Sequence, residues 1–240
     1  AMKLAVILAA GMGTRLRSEY VDRPKGFLEL GGRPIIETSI LNLERVGIKK
    51  IVIVTGYAAE HYEQLALRYP DLVYLVKNED FADSGSMYSL YCARDLIDDD
   101  FLLLESDLIY EARALDVLIA HVNPDALLLS GPTDAGDEVH VTAPDGYLTG
   151  MSKDLSALPC EPSGELVGIS KVSRDLFAIM KNIAAEAFKD SLRYDYETDC
   201  LVEASAKWKI FCPIIADLAW AEIDDPSHLK RARDVVLPRL

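Results

Sequence analysis

The chain has 240 residues, half of them hydrophobic, and a formal net charge of −14. That length and apolar content suffice for a substantial core without disulfide or metal staples, which excludes an intrinsically disordered chain. The acidic balance excludes general binding to nucleic acid or anionic membranes. No segment has the length and apolarity of a bilayer span.

The chain opens on an apolar run, Leu4-Ala5-Val6-Ile7-Leu8, that predicts a strand buried on both faces, as in a parallel sheet. Ala9-Ala10-Gly11-Met12-Gly13-Thr14-Arg15-Leu16 follows directly, and Pro24-Lys25 comes soon after. Gly11 and Gly13 let backbone N–H groups close on an anion. Arg15 adds a forked donor and Lys25 a compact point charge, both suited to phosphate oxygens. The Gly-Lys-Ser/Thr ending of a Walker-type loop is missing, and a dinucleotide fold would need a third glycine where Leu16 stands. A Gly-x-Gly turn alone also reads as a tight turn. Arg15 and Pro24-Lys25 in order behind it favour a triphosphate site, with Arg17 and Arg23 enlarging the cationic patch.

Helix is predicted for residues 35–46, strand for 49–54, helix for 58–69 and strand for 73–76. Residues 86–96 read as helix entered at Ser84-Gly85, 101–104 as strand, 114–121 as helix and 126–130 as strand. Residues 139–151 alternate apolar and polar around Pro144-Asp145-Gly146, a hairpin signature. A strand over 166–172 and a helix over 174–188 follow. This alternation predicts an α/β fold with an open, mostly parallel sheet and an antiparallel elaboration after about residue 130. No linker or repeat interrupts it, so residues 1–240 read as one domain, nucleotide-binding to about 110 and acceptor-binding beyond. Cys92, Cys160, Cys200 and Cys212 lack metal-type spacing and read as reduced thiols. With no signal peptide expected before the first strand, the expected location is cytoplasmic. Ala1 ahead of Met2 reads as an expression remnant.

From Leu8 to Glu37 the chain closely resembles the nucleotidyltransferases that make nucleoside-diphosphate sugars and related activated alcohols. The Gly-x-Gly-x-Arg loop, Pro24-Lys25 and the stretch Leu30-Gly31-Gly32-Arg33-Pro34-Ile35-Ile36 carry the likeness. Within that superfamily it is most similar to the small cytidylyltransferases for 2-aminoethylphosphonate (the PntC type) and phosphocholine (the LicC type). The resemblance implies a Rossmann-like mixed sheet flanked by helices. It also implies a Mg²⁺-dependent transfer of CMP from CTP to a phosphonate or phosphate oxygen, with release of pyrophosphate. Sugar-1-phosphate nucleotidyltransfer is the remoter alternative, and oligomers are compatible with it. By this likeness Lys25 and Arg15 are catalytic. Leu8, Ala10, Gly11, Gly13, Thr14, Thr55, Gly56, Tyr57, Ser84, Ser86 and Ser89 face the nucleotide.

Asp107, just past the fourth strand in Glu105-Ser106-Asp107, stands where open α/β sheets bind ligands, and a hard carboxylate there suits Mg²⁺. Helix capping is its other reading. The family resemblance implies a second, late strand-end carboxylate, for which Asp224 in Glu222-Ile223-Asp224 is the matching position and Glu222 a lesser candidate, while Asp225-Pro226 reads as a helix start. The segment Asp83 to Leu90 resembles the family's Asn-rich segment with Gly85 and Ser86 in place of the usual asparagines, and Ser84 and Ser86 read either as cytosine contacts or as a helix entry. For the acceptor, Tyr194, Asp195, Tyr196 and Glu197 in Arg193-Tyr194-Asp195-Tyr196-Glu197-Thr198-Asp199 form a candidate wall, with Trp220 as a second. A quaternary ammonium favours aromatic cages, whereas a primary ammonium with three donors favours carboxylates. The acidic stretch therefore points to 2-aminoethylphosphonate ahead of phosphocholine, and a solvated acidic turn is its bland reading. Lys153 reads either as a ligand of the acceptor's phosphonate or as a surface lysine.

Overall fold

A computed structural model of the chain describes residues 1–12 and 23–240. In chain order its strands are β1 (Leu4–Ala9), β2 (Glu29–Leu30), β3 (Arg33–Pro34), β4 (Lys50–Thr55), β5 (Val73–Lys77), β6 (Phe101–Glu105) and β7 (Leu108–Tyr110). They continue with β8 (Ala126–Ser130), β9 (His140–Thr142), β10 (Gly150–Ser152), β11 (Gly164–Val172), β12 (Ile214–Ile215) and β13 (Trp220–Glu222). The main sheet runs β10-β9-β11-β6-β1-β4-β5, with β8 paired to β11 and β12 to β8. Strands β6, β1, β4 and β5 are parallel, and β11 joins β6 antiparallel. The elaboration after residue 130 thus extends the same sheet, and the predicted hairpin is β9 against β10.

Buried apolar runs exist here because helices cover both faces. Val6, Leu8, Val52, Val54 and Leu103 point to one face, beneath α3 (Ser86–Cys92) and α5 (Arg174–Ala187). Ala5, Ile7, Ile51, Ile53, Leu102 and Leu104 point to the other, beneath α1 (Ile35–Arg45), α2 (Glu60–Arg68) and α4 (Arg113–Ala120). Each such aliphatic contributes about 1.5–3 kcal/mol on full burial, so these two layers dominate stability. Helix α3 ends at Cys92, short of the predicted 96, because Ala93 opens into a 3₁₀ turn over Arg94–Leu96.

A third, smaller core matters most for the site. Leu28, Leu30, Ile35, Ile109, Ala221, Ile223, Leu229 and Val236 pack together. They join the β2–β3 hairpin, the antiparallel β7–β13 ribbon and α7 (Pro226–Arg231). The ribbon strands are three residues each, too short for a periodicity signal to mark them in the sequence. Among the described residues no helix is long and apolar enough to cross a membrane, and all four cysteines are free thiols.

Candidate functional site: a charged cleft at the strand ends

The carboxyl ends of the parallel strands open onto a cleft of about 660 Å³. Pro24, extended at ψ 150°, leads into a 3₁₀ turn over Lys25–Phe27. Gly26 is required there. A Cβ on it would stand 2.9 Å from the Tyr62 hydroxyl and 3.2 Å from the Ser106 carbonyl, so the turn lies directly against the end of β6. Asp107 occupies the tight connection from β6 to β7. Asp224 follows β13, and the Ile223 N–H donates to the Asp107 carbonyl at 2.9 Å, bringing the two aspartates side by side.

Lys25 Nζ bridges them, 2.6 Å from Asp107 Oδ2 and 2.5 Å from Asp224 Oδ1. Burial opposes the lysine charge, but the two carboxylates outweigh it and hold the ammonium well above the ordinary lysine range. Burial also raises the Asp107 carboxyl, with Lys25 offsetting only part. Carboxylate oxygens of Asp107, Glu222 and Asp224 lie within 4.8 Å of one another. Three hard oxygen donors at that spacing form a donor set suited to a divalent cation.

A second carboxylate group lies in the same cleft. Strand β11 slips register between Leu166 and Ser170, where Gly168 has φ +92° and sits against the Glu105 side chain. Bulges of this kind re-aim strands beside sites. Burial first, then the Glu197 charge, raises the Glu105 carboxyl well above the usual carboxylate range. Burial pushes Glu197 up to about 7. The fully buried Tyr196 hydroxyl and the Glu105 carboxyl both lie against Glu197 and partly offset its burial, although neither Glu197 Oε2 nor the Tyr196 hydroxyl makes a hydrogen bond of good geometry among the described residues.

Of the residues singled out from the sequence, Leu8, Gly11, Lys25, Ser86, Asp107, Lys153, Asp195, Glu197, Trp220 and Asp224 line this cleft. Gly13, Thr14, Arg15 and Arg17 lie outside the described residues. Others have structural partners away from the lining. Thr55 is buried, its hydroxyl donating to the Val76 carbonyl at 3.4 Å. Gly56 packs against Phe81 and the Ala10 carbonyl, and Tyr57 stands next in the chain. Ser84 and Ser89 accept from the buried Asn78 amide, at 2.9 and 3.0 Å. Tyr194 donates to Glu203 at 2.8 Å. Tyr196 has its ring buried in the core beneath the acceptor wall, with its hydroxyl against the cleft-lining Glu105 and Glu197.

Asp195 accepts from the Ser86 N–H at 3.0 Å, and the Tyr196 N–H donates to Ser86 Oγ, so the wall is bolted to the start of α3. Asp199 accepts from the Asp195 N–H. Among the wall's three carboxylates, Glu197 is the one carrying a buried oxygen, and it lies against Tyr196 and Glu105. Sequence reasoning gave no role to Glu105, although it lies two residues before Asp107. Nor did it single out Asn78, Asp137, Arg231 or His228, which lack a motif that would mark them.

Residues 5–176 match the model of the MobA-like NTP transferase domain. The chain belongs to this nucleotidyltransferase family. It is 31% identical over 245 residues to the CMP-5'-(3-aminopropyl)phosphonate synthase of Streptomyces rubellomurinus, covering 95% of this chain and 38% of that protein. Its fold matches the inositol-1-phosphate CTP transferase from T. maritima with a TM-score of 0.81 at 19% identity, over 95% of this chain and 91% of that one. The CTP:phosphocholine cytidylyltransferase LicC from Streptococcus pneumoniae aligns with a TM-score of 0.76 at 21% identity, over 98% and 99%. The Rossmann-like transferase architecture expected from the sequence is the family's. The chain spans about half or less of the length of the curated relatives it matches.

Proposed function

We propose that the chain transfers CMP from CTP to the phosphonate oxygen of a small amine-bearing phosphonate, 2-aminoethylphosphonate or a close homologue, and releases pyrophosphate. An acceptor oxygen attacks the α-phosphorus in line; one P–O bond forms as the bond to the β-phosphate breaks. The phosphonate is already ionised near neutral pH, so no general base is needed and catalysis rests on positioning and charge. Lys25 would hold the α-phosphate and the acceptor. Arg15 with the loop of Gly11, Gly13 and Thr14 would hold the β- and γ-phosphates. Asp107, Glu222 and Asp224 would hold Mg²⁺, whose chemistry when bound is to neutralise phosphate oxygens. Lys153, on the cleft wall, would meet the phosphonate.

The single observation that carries the acceptor class is the Glu105–Glu197 carboxyl pair. Two half-buried acids line one cleft, both held toward the neutral form by desolvation, with no ion pair to either among the described residues. A primary ammonium bringing three donors would satisfy them. An aromatic cage for a quaternary ammonium is poorly provided for. The Tyr194 hydroxyl is taken by Glu203, Tyr196 is buried, and Trp220 is nearly buried with its indole N–H donating to Ser130 at 2.8 Å. Cytidine as the base is supported by the Streptomyces relative's name and by the resemblance of the glycine-loop segment.

The test is a pyrophosphate-release screen pairing each nucleoside triphosphate with 2-aminoethylphosphonate, 3-aminopropylphosphonate, phosphocholine and sugar 1-phosphates. CTP with an aminophosphonate should give the highest kcat/KM. Phosphocholine winning would move the acceptor to the second reading, and UTP with a sugar phosphate winning would overturn the proposal.

A further inference from the structure

His228 lies on α7, is 4% exposed, and has both ring nitrogens engaged. Nδ1 accepts the backbone N–H of Asp224 at 3.1 Å, so the ring proton sits on Nε2, which faces two acceptors of one loop, the Ala135 carbonyl at 3.1 Å and Asp137 Oδ1 at 3.3 Å. In return the His228 N–H is capped by Asp225 Oδ1 at 3.0 Å. The arrangement is a variant of the reciprocal capping box, with a histidine in place of the usual Glu or Gln at the third helical position. A Glu there could accept from the backbone but could not also donate to Ala135.

The added donor reaches the loop after β8. That loop lines the cleft through Thr133, Ala135, Asp137 and Glu138, and is anchored at its other side by Thr133 donating to Glu165. Asp137, Asp224 and His228 lie close enough together for a metal ion. With both nitrogens committed, the imidazole has no lone pair to offer one, so the cluster acts as a brace.

We infer that His228 is a positioning residue. It fixes the backbone that carries Asp224 and ties it to the 131–138 loop, so the metal carboxylate and the acceptor side of the cleft are set by one imidazole. The inference rests on the reading of Asp224 as a metal ligand. Partners that orient metal ligands typically contribute about 10–100-fold in metal affinity.

The experiment is Mn²⁺ titration by electron paramagnetic resonance with CTP present, on wild type, H228A, H228E and H228Q, alongside acceptor kinetics and thermal melts. H228A should weaken Mn²⁺ about tenfold or more. H228Q, with an acceptor and a donor on one amide, should recover most of it. H228E should recover Mn²⁺ affinity while leaving the acceptor KM raised at nearly unchanged kcat, a split that simple loss of stability does not produce. H228A or H228E matching wild type in both Mn²⁺ affinity and acceptor KM overturns the inference, whatever the melting temperature does. Wild type that binds Mn²⁺ but releases no pyrophosphate with any acceptor overturns the proposed function alone, and the Mn²⁺ series still judges His228. Wild type that binds no Mn²⁺ overturns the inference.

Discussion

Two groups of buried carboxylates share one cleft, and they are balanced in opposite ways. Asp107 and Asp224 have a cation supplied by the chain, because Lys25 lies between them. Glu105 and Glu197 have none among the described residues, and burial pushes both toward the protonated form. Removing one partner of a buried ion pair leaves an uncompensated charge, whereas a buried carboxyl with no partner takes up a proton instead. The first group therefore has one positive charge against its two carboxylates before any ligand arrives, and a divalent ion in place of Lys25 would balance both. The second becomes complete only with a proton or a cationic ligand, which is what an ammonium-selective acceptor site requires.

The largest effect that would break this comparison is on Lys25. Lys25→Ala should lower turnover by ~10²–10³ or more, the scale of losing a charge-stabilising donor. It should also destabilise the metal-free protein and leave Mn²⁺ able to restore its melting temperature. Activity near that of wild type would remove Lys25 from the chemistry. Glu197→Gln comes next. Hydrogen bonds to charged groups are worth about 1.5–3 kcal/mol, so kcat/KM for an amine-bearing acceptor should fall roughly 10–100-fold. The same variant should lose little with a phosphonate lacking the amine; equal losses for both acceptors would place the ammonium elsewhere.

A smaller effect separates the two groups by pH. The Glu197 carboxyl is raised from about 4.5 to about 7 on folding, so its contribution is fully present below pH 4.5 and is lost as pH rises through 7. In EDTA, wild type should lose stability relative to Glu197→Gln across that window, as read by denaturant melts at each pH; parallel curves would show that burial does not govern this group. The smallest effect is on Trp220→Phe, which deletes the hydrogen bond to Ser130 and should cost about 1 kcal/mol of unfolding free energy. A large change in acceptor preference from that substitution would assign Trp220 a recognition role and weaken the case for carboxylates.

Much of the frame was legible in the chain. The runs at Leu4–Ala9, Lys50–Thr55 and Phe101–Glu105 are continuously apolar because both faces are covered, and amphipathic helices between them leave little choice but a parallel sheet. Lys25, Asp107 and Asp224 were legible for a related reason. Strand ends collect ligands in such sheets, and each residue sits next to a recognisable turn or motif. The burial of the Tyr196 ring was not legible, because alternation in a short acidic segment does not say which aromatic turns inward. The buried ring belongs to the same core as Met180 and Ala184 of α5 and Leu103 of β6, which are distant parts of the chain.

The sequence by itself determined the sheet and the identity of the charges at its strand ends, because these depend on local pattern and composition. Tertiary structure alone decided which charges meet. Lys25 and Asp224 are 199 residues apart and touch because the ribbon of Leu108–Tyr110 and Trp220–Glu222 rests on a small core of its own. His228 reaches Asp224 by one turn of helix but reaches Ala135 only across the fold. Glu105 lies against Gly168 at the β11 bulge, and Glu197 comes to it from another part of the chain. Contacts of such long sequence separation are set by packing, and packing has no signature in one stretch of chain.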